Sequence, residues 1–325
     1  MIRAALPAAA LLWGLTGCAV SPPLAEGLPA GMPRSVELAG TPFFPQDEYQ
    51  CGPAALATVL RASGVATSPD DLKPQVYVPG RRGSLQAELI GAARRHGRLP
   101  YLMPSQGQEL VAELNEGRPV LVLQNLGATR MPRWHYAVLI GYDADRNVAL
   151  LRSDTRERVE MRWQKFARTW HLGGRWAITT LQPHVVPEHA DAARYVEAAA
   201  GLEAAGRHEE ASVAYDAAIA RWPDAPLAWL GQGNVAYGKG DLTAAADAYR
   251  RAIALSPRDP AARNNLAQVL ADANCLPEAQ SQLARAAALA DGTALAAAVA
   301  ESRAKIESLS PAVAGCRLPD RAWPD

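Results

Sequence analysis

The feature that most restricts this chain is a step of 34 residues in its C-terminal half. Gly206 and Gly240, Tyr215 and Tyr249, Ala218 and Ala252, and Pro223 and Pro257 each stand 34 apart, and Ala211, Ala245 and Ala279 carry the step into a third copy. A period of that length, with small residues on it and a proline closing each copy, specifies helix-turn-helix units. The small residues let two helices approach, and the proline ends the second. No such unit buries its apolar face alone, so the copies must stack. Three copies, roughly 192–289, meet the minimum for a stable array, and the segment from Gly292 onward supplies a capping helix. The repeats leave most of a 325-residue chain for a second domain.

These copies resemble tetratricopeptide repeats, and Trp229 and Gly233 match the opening of that motif. The resemblance implies an all-α solenoid over 192–310, followed by a tail at 311–325, with a concave surface that recruits a protein partner. The segment 183–191, PHVVPEHAD, reads as a solvated linker, with no metal site in HVVPEH because Pro187 interrupts it. Residues 233–240, GNVAYGKG, come close to a phosphate-binding loop. Gly240 stands where Ser or Thr would meet magnesium, however, and the run follows no strand, so no nucleotide is expected.

Residues 41–182 follow a different pattern. Helical spacing at Leu56, Val59 and Leu60, at Leu85, Leu89 and Ile90, and at Leu110 and Leu114 gives way to strand-like runs at 119–124, 135–143, 148–154 and 176–181. Helices first and strands after is the pattern of an α+β domain. Residues 78–84, VPGRRGS, read as a surface loop. With 33 basic and 33 acidic residues, 49% apolar and 20% charged, the chain is globular and has no bias toward nucleic acid.

The chemistry centres on PQDEYQCGPAALATVL, 45–60. Gly52 permits close backbone approach, Pro53 suits a first helical turn, and the apolar run starts directly after. Cys51 is thereby expected at a helix N-terminus, where partial positive charge favours a thiolate. A nucleophilic cysteine also needs a base. Of six histidines, His96 ends a basic helix, His184 and His189 lie in the linker and His208 in a repeat turn; His135 and His171 remain, and only His135 opens a strong apolar strand. A hairpin turn centred between Ala144 and Asp145 would place Asp154 directly opposite His135, close enough to hold its ring, provided no bulge shifts the register.

The motifs QDEYQCGPAALATVL, WHYAVLIGYD and LLRSD resemble the C39 and C39-like family of papain-type cysteine peptidases. The resemblance implies a papain-like domain over 41–182 that hydrolyses a peptide bond without a cofactor or metal. It makes Cys51 the nucleophile, His135 the base and Asp154 its orienting residue. An upstream glutamine would complete the oxyanion hole: Gln46, five residues before Cys51, with Gln50 competing. Two other readings stay open. One is an inactive peptidase-fold scaffold for protein binding; the other is a transglutaminase-like acyltransferase using the same cysteine.

Residues 1–17 have Arg3, a short apolar stretch and a small-residue ending, the pattern of a removable signal peptide rather than a membrane span. With Cys18 they resemble a bacterial lipobox. The resemblance implies acylation of Cys18, a tether at 18–40, and attachment to the cell envelope, on the outer membrane facing the periplasm because Ala19 follows the cysteine. In that oxidising compartment Cys275 and Cys316 are candidates for a disulfide tying the tail to a helical hairpin.

Overall fold

The computed structural model describes residues 23–45, 50–309 and 315–319. After a short helix α1 (Leu24–Gly27) and strand β1 (Ser35–Glu37) come α2 (Cys51–Ala62), α3 (Pro69–Val76), a small hairpin of β2 (Tyr77–Val78) and β3 (Gly83–Ser84), and α4 (Gln86–Arg95). Strand β4 (Leu99–Leu102), α5 (Gly107–Asn115), β5 (Val120–Asn125), β6 (Trp134–Asp143), β7 (Val148–Ser153), β8 (Arg156–Arg162), α6 (Trp163–Leu172) and β9 (Ala177–Leu181) complete the first domain.

Seven strands form one antiparallel sheet in the order β4-β9-β5-β6-β7-β8, with β1 pairing β6 beyond the end of β5. The side-chain alternation of strands decides what lies on each face. Leu121, Leu123, Tyr136, Val138 and Ile140 pack under α2, α3 and α4. Val120, Val122, Ala137, Leu139 and Leu151 pack under α5 and α6 on the other side. Helices and strands interleave along the chain, so the domain is mixed α/β rather than helices followed by strands.

The repeat region consists of α7 (Ala192–Ala204), α8 (His208–Arg221), α9 (Pro226–Gly238), α10 (Leu242–Leu255), α11 (Pro260–Asp272), α12 (Leu276–Ala290) and α13 (Ala296–Glu307). This repetitive helical array is consistent with a tetratricopeptide-like solenoid. Its glycines act by absence: a Cβ on Gly231 would fall 2.1 Å from the Tyr215 ring, and one on Gly233 2.5 Å from Tyr249. Cys275, at the start of α12, is disulfide-bonded to Cys316 with Cα atoms 4.5 Å apart, so the tail is tied to the α11/α12 hairpin.

Three local expectations need correction. The β6/β7 hairpin does not oppose His135 to Asp154. It closes with Asp143 paired to Val148, and a bulge between Leu139 and Gly141 shifts the register so that Val138 pairs Arg152. Strand β7 ends at Ser153, and Asp154 sits at φ 59° in the turn to β8. Residues 78–84 are not a free loop, because Tyr77 pairs Ser84 and Val78 pairs Gly83. Nor is 183–191 simply solvated: the Asp191 N–H donates to the Tyr101 hydroxyl, the Tyr195 hydroxyl donates to the Pro183 carbonyl, and His189 is enclosed by carboxylates.

Candidate functional site

A cleft of about 1200 Å³ opens at one end of the sheet and is lined by Cys51, Ser84, Gln124, His135, Ser153 and Asp154 among others. Cys51 is the first residue of α2, with the Gln50 carbonyl accepting the Ala54 N–H behind it. Gly52 is required because a Cβ there would fall 2.2 Å from Ser84 Oγ, which packs β3 against the helix start. Gln50 does not line the cleft. Gln46 and Cys18 lie outside the described residues.

Burial dominates the charge state of the site. It pushes the Cys51 thiol above its ordinary pKa, and the backbone N–H groups of Tyr136, Gly52 and Cys51 itself offset this only in part. The helix-terminus effect expected from the sequence is therefore outweighed by desolvation. Burial also lowers the His135 pKa, opposed by the Asp154 charge and reinforced by Arg133. Both shifts run against a thiolate–imidazolium pair.

Strand alternation brings the two to the cleft from opposite faces of the sheet. His135 pairs Gln124 across β5/β6 and shares the α6-side face with Ala137 and Leu139, whereas Cys51 packs with Tyr136 on the α2 side. Both reach the cleft at the sheet end, but among the described residues no hydrogen bond joins Cys51 to His135 or His135 to Asp154. The ring instead meets Ser153, with Nε2 2.8 Å from Oγ. Ser153 was not evident from the sequence; its place beside Asp154 in LLRSD was the available signal. His171 is exposed in the last turn of α6, where Nδ1 accepts from Arg175 Nε at 3.2 Å.

Gln124 was also missed, although a glutamine inside the apolar run VLVLQN is a signal in itself. It is 0% exposed, and its amide donates to Thr169 Oγ1 at 2.7 Å. Away from the cleft, Glu113, Glu116 and His189 bring potential ligand atoms within 4.8 Å of one another. Arg118 already bonds both carboxylates, at 2.5 Å and 2.7 Å, so a cation would meet positive charge there.

A helix-terminal cysteine and a strand histidine at one end of an antiparallel sheet, covered by helices on both faces, define a peptidase-like α/β domain carrying a helical repeat array. Residues 39–178 match the Peptidase_C39 like family, and 196–260 match the tetratricopeptide repeat family. These matches support a C39-like peptidase domain over 39–178 joined to a tetratricopeptide-like region. Among solved structures, one from Bacillus anthracis described as a C39-like peptidase is 20% identical, covering 45% of this chain and 97% of its own, with a TM-score of 0.37. The peptidase domain of Streptococcus ComA, a bi-functional ABC transporter involved in quorum sensing, is 22% identical, covering 43% and 98%, with a TM-score of 0.35. None of the curated proteins matches the chain.

Proposed function

We propose that the N-terminal domain is a peptide-binding module whose cleft receives an extended segment of a protein, while the repeats hold the protein that carries it. The observation behind this reading is the formed cleft in which no hydrogen bond joins Cys51 to His135 among the described residues, and burial favours the neutral form of each. Hydrolysis needs a thiolate beside an imidazolium. In this reading Cys18 carries lipid and holds the protein on the outer membrane, facing the periplasm. Palmitate labelling that is lost in Cys18→Ala checks that attachment. Among the described residues, no helix is long and apolar enough to cross a membrane.

A second reading, cysteine peptidase, is favoured by one observation: Cys51 starts a helix and lines the same cleft as His135 and Asp154. Closure on a peptide would let His135 take the Cys51 proton as sulfur attacks the carbonyl carbon. The Cys51 N–H, with Gln46, would hold the oxyanion. His135 would then return the proton to the leaving amine, and water would resolve the thioester; an added amine doing so instead would make the domain an acyltransferase.

Alkylation of Cys51 by iodoacetamide against pH separates the two. The binding reading expects a rate that rises only above the free-thiol pKa of ~8.5, unchanged by His135→Ala. Fast reaction well below that pH, lost in His135→Ala, would reverse the order of the two readings.

A further inference from the structure

The charge around the cleft identifies what kind of peptide it takes. Among the described residues, Arg81, Arg82, Arg133, Arg156 and Lys165 line it, against a single lining carboxylate, Asp154. A shallower depression that shares Lys165, Thr169 and Leu172 with the cleft adds Arg162 and Arg168. All seven cations are exposed, and none makes an ion pair among the described residues. Elsewhere on the sheet, exposed arginines are matched: Arg34 with Asp145, Arg146 with Glu160, and Arg158 with Glu37 and Glu160. In a chain of zero formal net charge, the described lining of this one opening is therefore strongly cationic. Like charges so placed repel, and an anionic ligand relieves that repulsion.

The floor of the cleft distinguishes a peptide from other anions. The Thr169 hydroxyl donates to the Lys165 and Phe166 carbonyls, so toward Gln124 it can only accept, which fixes the Gln124 amide nitrogen on that side. Gln124 Oε1 and Ser84 Oγ are then buried acceptors without a partner among the described residues. An unpaired buried acceptor is costly, and a bound main chain supplies the N–H donors that would satisfy it. A phosphate chain has none. Leu85 and Trp134, 45% and 56% exposed, give apolar side chains a place to rest at the rim.

We propose that the cleft binds an acidic peptide, with carboxylate side chains at the Arg81/Arg82 and Arg133/Arg156 walls and its backbone N–H groups on Gln124. This rests on the peptide-binding reading and adds the ligand's chemistry.

The test is fluorescence anisotropy with the full chain carrying Cys51→Ala and three labelled ten-residue peptides that share apolar positions and differ only in Glu, Gln or Lys between them. The Glu peptide is expected to bind ~10-fold tighter than the Gln peptide, with the Lys peptide weakest. Raising salt from about 0.1 M to about 1 M should remove that advantage, because the screening length falls from ~10 Å to ~3 Å. Arg81→Glu with Arg82→Glu, or separately Arg133→Glu with Arg156→Glu, should erase the preference, while Gln124→Leu should weaken all three peptides alike. Equal binding of Glu and Gln peptides would overturn the acidic inference and leave peptide binding standing; no binding of any peptide would overturn both. A single-stranded oligonucleotide of equal charge that binds as tightly and ignores Gln124→Leu would overturn the choice of a peptide.

Discussion

Arg152 is 5% exposed, and its guanidinium donates to the carbonyls of Ala39 at 2.9 Å, Thr41 at 3.0 Å and Glu157 at 2.6 Å. It faces away from the cleft and fixes the segment that leads to Cys51. A buried charge paired with carbonyls is costly to remove, because the buried Thr41 carbonyl would be left without its donor. Arg152→Met is expected to lower stability by about 2–4 kcal/mol in urea unfolding. Arg152→Lys should recover little of it, since a single ammonium cannot reproduce the planar fork that spans three carbonyls. The residue type and its strand were visible in the sequence. Its role was not, because the bulge before Gly141 and the path of residues 39–41 decide what Arg152 meets.

Among elements, the strands legible in advance were those with unbroken apolar runs, β5, β6, β7 and β9. Strand β8, RERVEMR, shows only Val159 and Met161 inward among charged residues, because it lies at the sheet edge with one face in water. The connection into the repeats was misjudged for a related reason. Its polar composition suggested solvent, yet α5 presents Glu109, Glu113 and Glu116 on one side to His189, whose Nε2 lies 3.5 Å and 3.2 Å from the first two and Nδ1 3.2 Å from the third. Burial lowers the His189 pKa, but the three carboxylates outweigh it and the net shift is upward. A raised folded pKa means that the clasp contributes fully below the unfolded value of ~6.5 and is lost as pH rises through the folded one. Arg118, bonded to the same carboxylates, limits the gain. Thermal melts should therefore show stability falling from pH 6 toward pH 8 through this group, and His189→Gln should flatten that dependence.

The two parts of the molecule do not meet as beads on a string. Tyr195, Val196, Ala199 and Leu202 of α7 belong to the same apolar core as Leu99 and Tyr101 of β4, and that core continues into Ala211, Tyr215 and Ala228 of the repeats. The first repeat is thereby also a layer of the sheet domain. Calorimetry should record the sheet domain and the first repeat unfolding in one transition, and Tyr195→Ala, by emptying a fully buried aromatic site, should destabilise both together by about 3–5 kcal/mol. A sheet-domain transition left unmoved by Tyr195→Ala would show that the shared core does not couple them. By itself the sequence determined the 34-residue helical array, a first domain containing both helices and strands though not their interleaved order, and Cys51, His135 and Asp154 as candidates, because periodicity and local motifs are written in short-range spacing. Only the tertiary structure decided how burial shifts Cys51 and His135, the hydrogen bond between His135 and Ser153, and the cationic lining of the cleft. Burial, register and the meeting of distant segments depend on which surfaces pack together, and no local pattern encodes that.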